Sequence, residues 1–291
     1  MVYKKHVNID LHIHSTASDG TFTPAEILQH AQQLDLAAIS ITDHDTLAGS
    51  KQALEIGIPT SIGFITGVEI SAAPPPSYPK PGSFHILGYA IQLEDPELNG
   101  ALESLQDARE NRNPAILKCL SDLGFPVTLT DVQTEAGDGQ LGRPHIARFM
   151  VKKGWVDSID EAFDTYLGAG KPAYVDKYRI ECSRALEIIR GAGGIPVLAH
   201  PGLLEVDSSQ QLDKILVELK QMGLKGIEVF YSEHSPDQTQ LFIELASRHD
   251  LVITGGSDFH GAIQPTIQMG SGKGDLIVPY QIFVALNQLG R

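Results

Sequence analysis

Strand-like and helix-like segments alternate along most of this chain, and that alternation limits the folds available to it. Seven short apolar segments typical of buried strands are separated by segments typical of amphipathic helices. Strands that alternate with helices predict βαβ units and a parallel sheet. The sequence therefore predicts an α/β protein. The predicted strands are residues 7–12, 37–42, 64–71, 84–91, 195–200, 226–230 and 251–255.

The alternation is interrupted in the middle of the chain. Between about residues 96 and 177 helix-like segments dominate, and the longest, residues 98–123, is expected to break at Pro114. Further helices are predicted over residues 144–153 and 158–167. The predicted division is a first part of an α/β body at residues 1–97, a helical insertion at 98–178 and the second part of the body at 179–291.

Local signals predict several element boundaries in the α/β body. Thr23 has the features of an N-cap, because Pro24 follows it and Glu26 stands three residues after it. Asp45 is expected to cap a second helix that ends near residue 56. The proline-rich residues 74–82 are expected to form a loop.

Composition excludes several classes of partner. The chain carries 36 acidic and 22 basic side chains, a formal net charge of −14. Because non-specific nucleic-acid binding depends on neutralising phosphates with Lys and Arg, extended nucleic-acid binding is not expected. The two cysteines form no CxxC pair, which is typical of a reducing compartment. No apolar signal core or segment of ~18 apolar residues is present, so the sequence predicts a cytoplasmic protein without a membrane partner and makes no prediction of oligomeric state.

Side chains that bind metal ions accompany the predicted strands. In a closed α/β barrel, the active site is built at the carboxyl ends of the strands. Six of the seven predicted strands deliver a histidine or a carboxylate to that face. Burying so many titratable groups without a metal would be energetically costly. The candidate ligands are His12, His14, Asp19, His44, Glu69, His85, His200, Asp258 and His260.

Spacing and ligand number predict how these side chains are used. Residues i and i+2 of an extended segment share a face, so His12 and His14 are expected to point the same way. Asp43 and His44 are adjacent and face opposite ways, so we expect His44 to bind metal and Asp43 to orient a ligating imidazole. A single catalytic zinc takes about three protein ligands, so nine candidates predict two or three divalent ions, with Glu69 as a bridge. Imidazole and carboxylate ligands suit Mn²⁺, which we favour, as well as Fe²⁺, Zn²⁺ or Mg²⁺.

The same motifs, in this order, resemble those of the PHP (polymerase and histidinol phosphatase) superfamily. They are HIH at residues 12–14, TDHD at 42–45, LAHP at 198–201 and GSDFH at 256–260, together with Glu69 and His85. The resemblance extends over the whole chain. It implies a distorted (β/α)7 barrel and a trinuclear metal site formed by the nine candidate ligands.

Two segments of the predicted insertion narrow the resemblance. GRPHIAR at residues 142–148 and GAGKPAY at 168–174 are similar to a PHP subgroup that includes 3′,5′-nucleotide bisphosphate phosphatases and a related 5′→3′ exoribonuclease. In that subgroup the insertion lies over the metal face and holds substrate phosphate. A guanidinium binds phosphate in a bidentate fork, so Arg143 is the first candidate, with His145 and Lys171 as partners.

The sequence leaves open the roles of two residues in the sixth predicted strand and the loop that follows it. His234, in the loop, could donate a hydrogen bond to substrate, and a surface position is an equal alternative. Glu228, on the strand, is interpreted as a polar residue of the barrel interior rather than a ligand.

The sequence predicts a metal-dependent phosphoesterase. Neighbouring divalent ions lower the pKa of a shared water, which would attack phosphorus in line, while Arg143 and the ions neutralise the developing charge. The resemblance implies a nucleoside 3′,5′-bisphosphate that loses its 3′-phosphate, with short RNA 5′ ends as a second substrate. No side chain is assigned as the general acid.

Three alternatives stay open. The substrate could be histidinol phosphate or another small phosphomonoester. The chain could be an amidohydrolase that cleaves C–N bonds. It could also be a non-catalytic metal-binding or regulatory module.

Overall fold

The computed structural model describes residues 8–80, 84–136, 141–176 and 178–290, which form a mixed α/β fold. The strands are β1 (Ile9–Ile13), β2 (Ala38–Ile41), β3 (Gly63–Phe64), β4 (Gly67–Ala73), β5 (Phe84–Tyr89), β6 (Ile180–Glu181), β7 (Ile195–Leu198), β8 (Gly226–Tyr231) and β9 (Val252–Gly256). The α-helices are α1 (Pro24–Gln33), α2 (Ala48–Ile56), α3 (Pro96–Asp122), α4 (Leu129–Ala136), α5 (Arg143–Lys152), α6 (Ile159–Ala162), α7 (Cys182–Gly191), α8 (Ser209–Met222), α9 (Pro236–Arg248) and α10 (Tyr280–Leu289). A π-helical turn, Phe163–Leu167, continues α6.

The strands form two sheets that meet at their edges. One sheet has the order β1-β2-β3, and the other has the order β6-β4-β5-β7-β8-β9. Isolated bridges join them, between Ile13 and Phe259 on one side and between His44 and Glu69 on the other. Parallel pairing predominates, as the alternation of strands and helices predicts.

The prediction that all seven strands are parallel is wrong for β5. This strand pairs antiparallel with both β4 and β7. A parallel neighbour needs a crossover connection, usually a helix, whereas β4 and β5 are joined by the short proline-rich segment. Residues 74–80 form the predicted loop, and positions 81 and 82 of that prediction lie outside the described residues. The reversed direction places His85, near the start of β5, at the edge where the parallel strands end.

Two predicted helix boundaries are also wrong. Helix α3 runs through Pro114 without a break. Pro114 and Glu110, the residue whose carbonyl loses its helical partner, are both exposed, so solvent can satisfy that carbonyl. Helix α2 begins at Ala48 after Leu47 and is not capped by Asp45, whose carboxylate is held by Ser71.

One further boundary prediction is confirmed, and one predicted strand is corrected. Thr23 caps α1 through a capping box with Glu26. The third predicted strand, residues 64–71, is divided in the structure, since β3 pairs with β2 and β4 pairs with β5. Among the described residues, no helix combines the length and apolar character needed to cross a membrane.

The helices that follow β5 contribute a hydrophobic cluster of their own. Buried side chains of α3, α4 and α5, including Ile116, Val132 and Ile146, pack together there. The amino-terminal half of α3 packs instead in the cluster that contains β4 and β5, through Leu98, Leu102 and others. The long helix α3 therefore connects the sheet to the helical region, and both its halves have a buried face.

Candidate metal centre and arginine pocket

All nine candidate metal ligands converge at one edge of the two sheets. Ligand atoms of three overlapping groups lie within 4.8 Å of one another in each group. The groups are His14, Asp19, His44 and His260; His12, His14, Glu69 and Asp258; and His44, Glu69 and His85. The ninth residue, His200, joins them through Glu69, with 3.0 Å between its Nε2 and the glutamate Oε1.

Backbone hydrogen bonds between neighbouring strands hold the ligand loops. The amide of Asp258 donates to the carbonyl of His12 at 2.8 Å, and the amide of His14 donates to the carbonyl of Phe259 at 3.0 Å. Asp258 and His200 have positive φ angles of 59° and 25°, conformations that cost free energy for residues with a side chain. Such strain at two candidate ligands indicates that the surrounding structure fixes their direction.

Glu69 lies at the centre of the cluster. Its Oε1 is 2.8 Å from His85 Nδ1 and 3.0 Å from His200 Nε2. Its Oε2 faces three further imidazole nitrogens, at 2.9 Å for His44, 3.2 Å for His14 and 3.4 Å for His12. Each carboxylate oxygen thus faces a different set of imidazoles, which is the arrangement expected of a bridging carboxylate.

Several of these polar atoms lack a hydrogen-bond partner although they are buried. Among the described residues, they include Nε2 of His12, both ring nitrogens of His14, Nδ1 of His44, Oε2 of Glu69 and Oδ1 of Asp258. The ion-pair distances between them are short, but the groups are not aligned for hydrogen bonds. Unsatisfied buried polar atoms are costly, and cations at this position would satisfy them. The donor set therefore fits divalent metal ions.

Three carboxylates and one imidazole of the cluster are in the protonation state that a metal ligand needs. Burial alone would raise the pKa values of Glu69, Asp19 and Asp258, but the adjacent imidazoles outweigh burial and hold all three well below their ordinary values. These carboxylates are therefore ionised at neutral pH. Burial lowers the pKa of His85 to about 4, so its ring is neutral and able to act as a ligand. Burial lowers the pKa values of His12, His14 and His200, but the neighbouring carboxylates outweigh burial and raise all three, so these rings must release protons when metal binds.

Glu228 orients ligand residues, which the sequence did not indicate. Its Oε1 lies 2.9 Å from His12 Nδ1, and its Oε2 accepts from the backbone amide of His200 at 2.7 Å. Asp43 instead accepts hydrogen bonds from Ser15 and Ser18, at 2.6–2.7 Å, in the loop that leads to Asp19. The hydrogen bonds found for Asp43 thus hold that loop, and the contact to a candidate imidazole ligand comes from Glu228.

A cavity of about 200 Å³ opens beside the cluster. Four candidate ligands line it: Asp19, His44, His85 and His260. Its remaining lining residues are Ser71, Arg109, Arg112, Arg143, Pro144, Phe163 and Arg179. We call the part formed by Arg109, Arg112, Arg143 and Arg179 the arginine pocket. Four guanidinium groups around one cavity, in a chain of net charge −14, indicate an anion-binding site.

Arg112 is the clearest member of the arginine pocket. It is 6% exposed, and its Nε has no hydrogen-bond partner among the described residues. Burial and the positive charges of Arg143 and Arg109 lower its pKa to about 9, so it remains a cation at neutral pH. A buried guanidinium whose Nε has no partner, in the wall of a cavity, indicates a binding position for an anionic ligand.

The four predicted substrate residues lie in different environments in the structure. Arg143 lines the arginine pocket, where it donates to the carbonyl of Leu167 at 3.0 Å. His145 is buried nearby, and its Nδ1 accepts from the amide of Gly142 at 3.1 Å. Lys171 is exposed and does not line the cavity.

His234 lies away from the arginine pocket and lines a different cavity. Its Nδ1 lies 2.9 Å from the carbonyl of Val229, and its Nε2 accepts from the amide of Gly202 at 3.1 Å. Both ring nitrogens are thus engaged by backbone, so the side chain connects strand β8 to the turn at residues 201–203 that follows β7.

The arginines on α3 were missed by the sequence reasoning, although a signal exists. The buried stripe of α3 has a spacing of four and three residues: Leu98, Leu102, Leu105, Arg109, Arg112 and Ile116. Arg109 and Arg112 occupy two successive positions where an amphipathic helix places apolar side chains. Charged residues are almost never buried without a partner, so this substitution in the pattern marks a site.

The site as built is a multinuclear centre of imidazoles and carboxylates with an anion pocket beside it, and this defines a class of metal-dependent enzymes acting on anionic substrates. The chain belongs to the PHP domain family, which matches residues 10–169.

Relatives and a solved structure resemble nearly the whole chain. It is 35% identical over 251 residues to a 5′-3′ exoribonuclease of Haemophilus influenzae, covering 86% of this chain and 89% of the relative. It is 33% identical over 254 residues to a 3′,5′-nucleoside bisphosphate phosphatase of Chromobacterium violaceum, covering 87% of each. The structure of an amidohydrolase from Chromobacterium violaceum, with bound sulfate and no metal, matches with a TM-score of 0.84 and 32% identity, covering 97% of this chain and 96% of that one.

Proposed function

We propose that this protein is a metal-dependent phosphoesterase that removes the 3′-phosphate of nucleoside 3′,5′-bisphosphates. One observation carries the proposal: a single cavity is lined both by four candidate metal ligands and by four arginines. A substrate that fills it would present one anionic group to the metals and a second to the arginines. The names of the two sequence relatives support a phosphorylated nucleotide or RNA as that substrate.

The nine candidate ligands would hold two or three divalent ions, and we favour Mn²⁺. Such ions, when bound, activate water and neutralise charge on phosphoryl oxygens. We further propose that the two sheets represent the distorted (β/α)7 barrel, with bridges Ile13–Phe259 and His44–Glu69 at their junctions. Residues 98–178 would form the helical insertion, and its arginines would face the metal centre.

The chain's own side chains would bind and orient the substrate. Arg112 and Arg143 would bind the phosphate remote from the metals through charge-assisted hydrogen bonds. His145 would act as a neutral donor, because the Gly142 amide occupies its Nδ1 and leaves the proton on Nε2. Glu228 would accept a hydrogen bond from Nδ1 of His12 and so leave Nε2 of that ring free to bind metal.

Short RNA with a phosphorylated 5′ end is a second candidate substrate, supported by the exoribonuclease relative. Such an RNA carries phosphate groups at the same separation as a bisphosphonucleotide, so the arginine pocket would accept its terminal phosphate. The net charge of −14 favours short oligonucleotides over extended nucleic acid.

The test is a turnover panel with Mn²⁺ in which phosphate release is measured for nucleoside 3′,5′-bisphosphates, 3′-monophosphates and histidinol phosphate, and release of 5′-mononucleotides is measured for short 5′-phosphorylated RNA. The 5′-phosphate should raise kcat/KM by about 10- to 100-fold over the 3′-monophosphate, since a hydrogen bond to a charged group contributes about 1.5–3 kcal/mol. Equal turnover of the two nucleotides would contradict the proposal. Amide substrates in the same panel test C–N hydrolysis, and turnover of those alone would establish the alternative.

A further inference from the structure

Asp45 occupies an unusual position between the metal centre and the arginine pocket. It follows His44 directly, is fully buried and has a φ of 55°. Its Oδ1 accepts from the Ser71 amide at 2.7 Å. Its Oδ2 accepts from the Ser71 hydroxyl at 2.9 Å and from Nη2 of Arg109 at 2.8 Å. A non-glycine residue in this conformation is held there by its surroundings.

The backbone of Asp45 also makes hydrogen bonds at both its amide and its carbonyl. Its amide donates to the carbonyl of Glu69 at 2.9 Å, and its carbonyl accepts from Nε2 of Gln106 at 2.7 Å. Gln106 and Arg109 stand three residues apart on α3 and therefore share a face of that helix. One residue thus contacts the central carboxylate residue of the metal centre, adjoins the ligand His44 and holds an arginine of the pocket.

We propose that Asp45 is a positioning residue that couples the two halves of the site, so that His44 and Glu69 are set for metal and Arg109 is set for the substrate anion. The proposal rests on the proposed function only in assigning the arginine pocket to a substrate phosphate. A buried carboxylate that merely stabilised the fold would leave metal and anion affinities of the folded protein unchanged. Coupling instead predicts that a substitution at Asp45 weakens phosphate binding and that a substitution at Arg109 weakens Mn²⁺ binding.

Simple electrostatics and positioning predict opposite signs for two variants. Asp45→Asn removes a negative charge next to the arginine pocket, which by charge alone would tighten phosphate binding. Arg109→Met removes a positive charge next to the metal centre, which by charge alone would tighten Mn²⁺ binding. If Asp45 positions both sets of residues, both affinities fall, by about tenfold or more as for other residues that orient ligands.

The experiment measures binding by calorimetry, independently of turnover. Inorganic phosphate is titrated into metal-free wild type and Asp45→Asn, and Mn²⁺ is titrated into metal-free wild type and Arg109→Met. Arg112→Met is the matched control, because it removes the same charge from the same cavity. The control should bind Mn²⁺ as tightly as wild type or more tightly. It should bind phosphate more weakly, which reports that the probe enters the arginine pocket.

Tighter or unchanged phosphate binding in Asp45→Asn, or tighter or unchanged Mn²⁺ binding in Arg109→Met, overturns the proposal. If Asp45→Asn does not fold, Gln106→Leu takes its place, since it releases only the carbonyl of residue 45. It should weaken Mn²⁺ binding, and unchanged Mn²⁺ affinity in that variant would equally overturn the coupling. If the variants bind phosphate and Mn²⁺ more weakly as expected but the wild-type protein does not hydrolyse bisphosphonucleotides, the proposed function is refuted and the positioning role stands.

Discussion

The metal centre and the arginine pocket share one cavity but are supported by different kinds of structure. The candidate metal ligands stand at strand edges and in the loops that follow, and backbone hydrogen bonds between neighbouring strands hold them. The arginines come from α3, from the first turn of α5 and from the segment before β6. Under the proposed function, the sheet edge would supply the chemistry and the helical region the selectivity, so variants in the two halves should differ in kind.

The largest effect is expected on the metal side. Asp258→Ala removes a ligand whose unpaired Oδ1 lies 3.3 Å from His12 Nε2 and 3.1 Å from His14 Nε2. It should lower bound metal and reduce turnover of every phosphoester to background, because water activation depends on the ions. Metal analysis and a phosphate-release assay measure both. Full activity on any phosphoester would remove the proposed centre.

Glu228→Gln should give the next largest effect. The substitution keeps the size of the side chain and removes the negative charge that holds the His12 ring and the His200 amide. We expect Mn²⁺ affinity to fall by about 10- to 100-fold, as for other partners of metal-ligating histidines. Turnover should recover when Mn²⁺ is raised. If activity stayed low at saturating metal, Glu228 would have a role beyond orienting ligands.

Arg112→Met tests the other half of the comparison. It should lower kcat/KM for bisphosphonucleotides by about 10- to 100-fold, because a charge-assisted hydrogen bond to phosphate is lost. A minimal chromogenic phosphomonoester, which leaves the arginine pocket empty, serves as the control substrate and should be hydrolysed at the wild-type rate. Thermal stability should be unchanged or higher, because methionine replaces a buried cation that has no partner at Nε. An equal loss on both substrates would refute selectivity by the arginine pocket.

Arg143→Ala should act in the same direction but less strongly. Part of its guanidinium already donates to Leu167 and lies over the rings of Phe163 and Tyr174, at 5.6 and 5.5 Å. Fewer donors remain for substrate, so we expect a loss of about tenfold on bisphosphonucleotides. Its packing contacts should also cost some thermal stability. A larger loss than that of Arg112→Met would reverse the order of the two arginines in our account.

The same contrast explains what could be predicted from the sequence. Strand geometry places residues at strand edges together, so the nine candidate ligands could be named from motif and order, even though β5 proved antiparallel. His85 still reached the site because β5 starts, rather than ends, at that edge. The direction of one strand therefore escaped prediction without changing the chemistry.

The helical region was harder to predict for a physical reason. Basic residues on one helix indicate charge without indicating which way each side chain faces. On α5, Arg143 lines the cavity, whereas Arg148 and Lys152 pair with Glu135. Arg109 and Arg112 occupy positions in the apolar stripe of α3, and the sequence does not indicate that this stripe faces a cavity. Asp45 was predicted to cap a helix, which is wrong, because its partners Ser71 and Arg109 are distant in sequence.

The multinuclear metal centre is tested most directly by the metal content of the wild-type protein. The content is measured by inductively coupled plasma mass spectrometry after Mn²⁺ loading and gel filtration. The account predicts two to three ions per chain, since nine ligands at about three per ion are more than one site can use. It also predicts fewer ions in Asp258→Ala. One ion or none in a folded wild-type protein would contradict it.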